Sequence, residues 1–332
     1  MTASVEPPKA TMRPAARPPI LGTDRVRSLG ILLPFILLFA TLSIASSHFL
    51  TRVNLLEILD QQASTLIVAA AGTLVLVGGG IDISVGSTYA LSGVVSAQLA
   101  LHTNALFAIV IGIAVGAVVG AVNGFVITVF RINSMIATLA MSFVVGGIAT
   151  LISNGSLIVL YDKHGFGDLA RSTFLDAKTS VWVMAVPVVA LGFLLSRAKV
   201  GRYMYAVGGN THAARLAGVR VDGIRILTFV LSGTAAGLAG VVDTSRVLSA
   251  ASSSSDTSTF AFTVLAGIVV GGTSILGGDG AVWRSVVGVL FIALVGNGYI
   301  LLGLNVLYQQ VTLGVLMIGA VGLDVWSRRR RV

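Results

Sequence analysis

Gly78-Gly79-Gly80-Ile81-Asp82-Ile83-Ser84-Val85-Gly86-Ser87 breaks a long apolar stretch with three consecutive glycines and a carboxylate. Backbone entropy opposes a helix through three glycines, so the preceding helix must end there. The break frees backbone N–H and C=O groups that lipid cannot satisfy, so it must face protein or a wet cavity. A carboxylate at the centre of a membrane helix costs ~2.5–3.5 kcal/mol on insertion scales, so Asp82 must be hydrated or hydrogen-bonded. Two readings stay open. Asp82, with Ser84 beside it, lines a solute path or gates it. Alternatively it caps a helix at 83–101, helped by Ser84 and Ser87.

The rest of the chain makes lipid the solvent. Of 332 residues, 55% are hydrophobic and 11% charged, with a mean hydropathy of +0.94. Soluble domains carry roughly 25% charged residues, enough to cover a globular surface, and this chain does not. The net charge of +9 is clustered at the ends of apolar runs. Arg13, Arg17, Arg25 and Arg27 precede the first run, and Arg328 to Arg331 follow the last. Arg197, Lys199, Arg202, Arg215, Arg220 and Arg225 crowd a central loop. Positive-inside anchoring explains that placement, and a nucleic-acid partner does not. Cysteine is absent, which excludes disulfides and thiol chemistry. The histidines (48, 102, 164 and 212) lack metal-ligand spacing. No phosphate-binding loop of the G-x-x-x-x-G-K-[ST] form occurs, so no cofactor is expected on this chain, and ATP and Mg would be bound by another.

Residues 1–28, rich in Pro and Arg, read as a disordered tail. Leu29 to Ser47 is too long and too deep for a signal peptide and reads as an uncleaved first helix. Further apolar stretches fall at 53–77, 86–101, 105–130, 134–152, 180–196, 223–245, 259–272, 281–302 and 306–325. The expected fold is therefore an all-α polytopic membrane protein with about ten transmembrane helices. A membrane-spanning body occupies 29–325, and 326–332 form a basic tail. The runs at 86–101 and 259–272 are shorter than the ~20 residues of a full span, so broken or re-entrant helices are expected there. With the N-terminus cytoplasmic, ten crossings bring the C-terminus, Arg131 and the loop 197–225 to the same side.

An internal repeat recurs at an offset of 174 residues: Asp82-x-Ser84 with Asp256-x-Ser258, and Asn123-Gly124 with Asn297-Gly298. Gly93 and Val95 also match Gly267 and Val269, and Thr138-Leu139 matches Thr312-Leu313. Five crossings per unit force the two copies, about 29–152 and 180–325, into inverted orientation. Inverted repeats place a solute path at their interface. Asp82, Ser84, Asn123, Asp256, Ser258 and Asn297 are the candidate path residues. The two asparagines serve equally as amide glue between helices, the commoner use. Gly112, Gly116, Gly120 and Gly124, four apart, form a ridge for close helix packing.

Two loops carry further signals. In the run 201–219, a short helix over 210–217 ends at Gly218, the usual C-terminal stop. A capped basic helix at a membrane face is what a motor domain could grip, and composition alone also allows a solvated anchoring loop. The longest loop on the other side, 153–179, carries mixed charge. With Arg246 it offers a docking rim for a soluble partner, and Asp162 and Arg171 are its candidate contacts.

Three motifs in order give a family resemblance. Gly80 to Ser87, Gly201 to Val219, and Val270-Gly271-Gly272-Thr273-Ser274 with Gly277-Gly278-Asp279-Gly280 resemble the permease of ribose-type ABC importers, over about residues 50–324. The resemblance implies a bacterial cytoplasmic-membrane subunit paired with a second permease copy or paralogue. It also implies two ATPase domains inside and a solute-binding protein outside. Asn210, His212, Arg215 and Gly218 would then belong to a coupling helix gripped by the ATPase. Three departures stand out. Thr211 replaces a usual Glu, Ala261-Phe262-Thr263 lacks the acids often found there, and Asn133-Ser134 replaces a Pro-Pro. The sugar therefore does not carry over. An ion-coupled secondary transporter with Asp82 and Asp256 as ligands, and a passive channel, are the competing classes.

Overall fold

The computed structural model describes residues 30–161, 165–252 and 254–329. The tail 1–28, Asp162 and His164 lie outside the described residues. Nearly every regular element is a helix: α1 (Leu32–Ala45), α2 (Arg52–Gln61), α3 (Ala63–Val77), α4 (Val85–His102), α5 (Ala105–Val129) and α6 (Ser134–Ser153) come first. After α7 (Asp168–Arg171) follow α8 (Thr179–Arg197), α9 (Lys199–Gly209), α10 (Thr211–Leu216) and α11 (Val221–Val247). Then come α12 (Ser254–Val270), α13 (Val282–Leu301) and α14 (Gln309–Arg329), which runs on into the stretch expected as a tail. The other regular elements among the described residues are a 3-10 turn at Val306–Tyr308 and two short antiparallel pairs. β1 (Ile158–Val159) pairs with β4 (Ser249–Ala250), and β2 (Thr173–Phe174) with β3 (Ala177–Lys178).

Among the described residues, five helices are long and apolar enough to cross a membrane: α5, α6, α8, α11 and α13. The bent pair α2–α3 makes six. Their outer faces are apolar, with Phe125, Phe143, Leu151, Val186 and Phe193 all exposed. A soluble protein would not leave such a surface to water. The interior is built around α3, all of whose residues are buried. The strongest seam joins α5 to α11. A Cβ on Gly116 would lie 2.3 Å from the Gly233 carbonyl oxygen, and one on Gly120 2.3 Å from that of Phe229. The glycine ridge thus brings two backbones together, as small residues do in membrane helices.

The structure corrects one expectation. The runs at 86–101 and 259–272 are not broken within themselves; α4 and α12 are continuous. The sharp bend, 52°, falls at Gln62 inside the run 53–77. Glycines inside α4 are packing sites: a Cβ on Gly86 would stand 2.0 Å from the Thr257 carbonyl oxygen. Non-helical segments between these helices lie at 78–84, 248–252 and 271–281.

Candidate transport site and coupling surface

The break after α3 is satisfied by its neighbours. The Ile81 N–H donates to Ser134 Oγ at 3.0 Å, and the Ile83 N–H to Thr138 Oγ1 at 3.1 Å. These two acceptors occupy the first turns of α6, so the freed backbone groups are paired within protein. Asp82 is 4% exposed. Its Oδ1 accepts from the Ser84 N–H (3.0 Å) and the Ser84 hydroxyl (2.7 Å), and its Oδ2 from the Ser232 hydroxyl on α11 (2.8 Å). Asn123 on α5 donates to Ser84 Oγ at 2.8 Å. Asp82, Ser84, Asn123 and Ser232 therefore form one buried network at the junction of α4, α5 and α11. The helix begins at Val85, two residues later than a cap at Asp82 would start it.

Two cavities flank this network along α11. Toward the end carrying most basic residues, a cavity of about 370 Å³ is lined by Gly78, Gly80, Arg131, Ser134, Arg225 and Thr228. Toward the other end, a cavity of about 320 Å³ is lined by Tyr89, Asp243, Asp256, Thr257 and Phe260, with the β4 residues Ser249 and Ala250. Ser232 lies on α11 between Thr228 of the first and Gly240 of the second.

At the basic end, three chain segments meet backbone to backbone. The Gly278 N–H donates to the Val77 carbonyl at 2.9 Å. A Cβ on Gly208, near the end of α9, would lie 1.9 Å from that same oxygen. One on Gly277 would lie 2.9 Å from Gly79 Cα and from the Gly208 oxygen. The Tyr205 hydroxyl donates to the Gly280 carbonyl at 2.6 Å, and burial raises this phenol above its ordinary pKa. The hairpin α9–α10 is thus anchored to the end of α3 and to the loop 271–281.

Its tip is a capped helix. Asn210 Oδ1 accepts from the Ala213 N–H at 2.9 Å. Gly218 has φ +81°, with Gly218 N–H to Arg215 O and Val219 N–H to Ala214 O, each 3.0 Å. That pair of bonds is a Schellman stop. His212, Arg215 and Leu216 are exposed, and Arg215 reaches Asp222 only at 3.6 Å. Thr211, in place of the usual Glu, donates to the Val207 carbonyl and accepts from Arg225.

At the opposite end, Arg246 is held inside the chain, its guanidinium 2.7 Å from Asp243 Oδ1, while the Tyr89 hydroxyl donates to Asp243 Oδ2. Tyr89 stacks on Phe260 with ring centroids 4.4 Å apart. Arg171 is exposed at the end of α7. The 172–178 segment is pinned to α2, with Lys178 Nζ 2.8 Å from Asp60 and 3.2 Å from Glu57. The hydrogen bond to Asp60 raises the Lys178 pKa above 10.5.

Asn297 stands apart from the Asp82 network. It donates to Asn54 on α2 at 2.8 Å and lines a third cavity, of about 720 Å³, with Glu57, Thr263 and Gln310. The six expected path residues thus divide. Asp82, Ser84 and Asn123 come together, Asp256 lines the second cavity, and Asn297 lines the third. Ser258 is exposed on α12. Sequence reasoning missed Ser232, Tyr89, Asp243 and Phe260. Asp243, a carboxylate inside an apolar run, was the one detectable signal among them. Among the described residues, no group of His, Asp or Glu could hold a metal ion.

Polar cavities inside a bundle with an apolar exterior, and a capped basic hairpin at one end, define a membrane transport subunit. A family described as the branched-chain amino acid transport system permease component matches residues 54–321, and the chain belongs to that family. It is 36% identical over 299 residues to the ribose import permease protein RbsC of Escherichia coli K12, covering 88% of this chain and 92% of that one. It is 36% identical over 301 residues to RbsC of Bacillus subtilis 168, covering 90% and 93%. With the L-arabinose ABC transporter permease protein AraH of Azospirillum brasilense it shares 37% over 308 residues, covering 91% and 88%. No solved structure matches it.

Proposed function

We propose that the chain forms the translocation path of an ATP-binding-cassette importer for a sugar or sugar-like solute. A separate ATPase subunit, holding ATP and Mg, supplies the energy, and an extracytoplasmic binding protein delivers the solute. The observation that carries this reading is the anchored hairpin. The exposed, doubly capped α10 continues through α9 into backbone contact with the end of α3 and the loop 271–281. Force applied at His212, Arg215 or Leu216 would reach both helix breaks without passing through flexible side chains.

The remaining architecture follows from the same proposal. Ten crossings, with α2 and α3 as one bent span, put both termini, Arg131 and the α9–α10 hairpin on the cytoplasmic side. Two inverted five-helix units would run to about 152 and from about 180. The order α4–α5–α6 against α12–α13–α14, with Asp82 and Asp256 leading each set, supports them. A second permease copy completes the channel. Arg171 belongs to the docking rim, and Arg246 contributes there only through its pairing with Asp243.

Reconstitution tests the whole reading. The permease, its ATPase and its binding protein in vesicles should take up radiolabelled D-ribose or L-arabinose only with ATP inside the cytoplasmic face. Uptake driven by an ion gradient without the ATPase would replace this reading with the secondary-transporter one.

A further inference from the structure

We propose that the cavity beneath the β1–β4 ribbon is this permease's own recognition site for one neutral polyhydroxylated solute, read by Asp256 and by the Tyr89–Phe260 stack. This rests on the importer reading above and adds the place on this chain where the cargo is read. The family's description speaks of amino acids and the relatives' names of sugars, so the wall of the cavity is the evidence that chooses.

The volume, about 320 Å³, lies at the small end of ligand pockets and suits one small molecule. The charges are uneven. Asp243 is compensated, taking the Arg246 guanidinium on one oxygen and the Tyr89 hydroxyl on the other. Asp256 is exposed on the facing wall, in the first turn of α12, where a carboxylate also answers the positive end of the helix. Among the described residues, no Lys, Arg or His lines the cavity.

An amino acid would bring an ammonium that Asp256 could pair with, but its carboxylate would find no cation lining this wall, only Asp243 and Asp256. Burying an unpaired charge is the costliest mismatch a site can offer. A sugar brings only hydroxyls, each able to donate to a carboxylate oxygen in a charge-assisted bond. Its C–H face needs an apolar plane, and the Tyr89–Phe260 stack supplies one. The Tyr89 oxygen, its proton committed to Asp243, remains an acceptor for a further hydroxyl. The ribbon above links the outer loop to the end of α11, through Ile158 with Ala250 and Val159 with Ser249.

The chain's lack of cysteine makes the test direct. Ala251 lines this cavity and is exposed, so A251C introduces a single reporter thiol. In vesicles holding the purified full-length permease, its labelling by sulfonatoethyl methanethiosulfonate is timed with D-ribose, L-arabinose, D-glucose, D-xylose or L-leucine present. Labelling should slow in proportion to occupancy, about threefold at twice the Kd of an aldose that fits, and L-leucine should not slow it. D256N on the A251C background should weaken protection by about tenfold. Y89L should weaken it too, and an unchanged labelling rate without solute reports that each variant keeps the fold.

Protection by L-leucine, no protection by any of the four aldoses, or equal protection in D256N and Y89L overturns the proposal. The importer reading fails separately. Protection without ATP-driven uptake would leave the site standing and remove the importer. ATP-driven uptake of an aldose that does not protect the A251C thiol would do the reverse.

Discussion

Gly208→Ala isolates the junction through which we propose that coupling runs. Gly208 lies in α9, and two opposing effects act on an added methyl there. Helix propensity favours alanine over glycine by about 1 kcal/mol, so the change should stabilise α9 if nothing else intervened. Packing opposes it. The new Cβ would sit 1.9 Å from the Val77 carbonyl oxygen and 2.8 Å from the Gly278 nitrogen, the two partners of the hydrogen bond that closes the junction. Restoring 3.0 Å, the least that real Cβ atoms show, moves α9 away from α3 by about 1.1 Å. Overpacking of this kind costs about 1–3 kcal/mol and the broken bond about 1 kcal/mol more. The net expectation is a loss of about 1–3 kcal/mol, opposite in sign to the propensity effect.

Gly209 is the control. A Cβ there meets nothing within 4 Å, so Gly209→Ala keeps only the propensity gain. Thermal unfolding in detergent should therefore separate the neighbours, with G208A melting below wild type and G209A at or above it. In the reconstituted importer, G208A should still bind the ATPase through the untouched α10 surface while losing most solute uptake per ATP hydrolysed. Equal melting temperatures and equal uptake in the two variants would falsify the argument that this contact transmits force.

Other outcomes follow from the same geometry. Asp82→Asn keeps an oxygen for the Ser84 N–H and hydroxyl and turns its amide N–H to the Ser232 hydroxyl, which must then accept, so the charge-assisted bonds are lost and folded abundance should fall by the equivalent of about 1 kcal/mol; fluorescence-detected gel filtration measures it, and wild-type abundance would refute it. Gly218→Pro removes the N–H that bonds Arg215 and a residue at φ +81°, so α10 should lose its stop and ATPase affinity should drop at least tenfold by pull-down titration. Lys178 has a raised pKa, so the stability its contact with Asp60 gives the 172–178 segment is fully present from neutral pH up to 10.5 and is lost as pH rises through the higher folded value. Protease cleavage in that segment should be flat from pH 7 to 9, and faster in K178M throughout.

The helices were legible because their signals are local. Apolar runs of the right length are read along the chain, and the observed boundaries at 105–129, 134–153 and 282–301 fall within a residue or two of the expected ones. Capping is equally local, so Asn210 and Gly218 delimit α10 where the composition said they would. The bend at Gln62 carries no Gly or Pro, and the polar Asp60-Gln61-Gln62 inside the run 53–77 was the one signal that could have found it. Local sequence also hid α9. Its Gly-Arg-Tyr-Met-Tyr sequence reads as a loop, and it folds because Met204 and Val207 are buried against the core.

What no single stretch contains is a meeting of distant segments, and both the proposed recognition site and the proposed coupling junction are such meetings. The cavity joins residues 89, 243, 256 and 260, and the junction joins 77–79, 208 and 277–278. The repeat hinted at pairing Asp82 with Asp256, but equivalence in two inverted units does not place two residues together. Asp82 instead bonds Ser232, and Asp256 faces the cavity of Tyr89. Glycine does different work at each place. Along α5 and α11 it lets two helices lie in continuous contact, which fixes them as one body. At the junction it lets three chain ends touch at single points, where a small shift of α9 is felt at once by α3 and by the loop before α13. A transporter needs both: a body that does not shear and a contact that passes movement on.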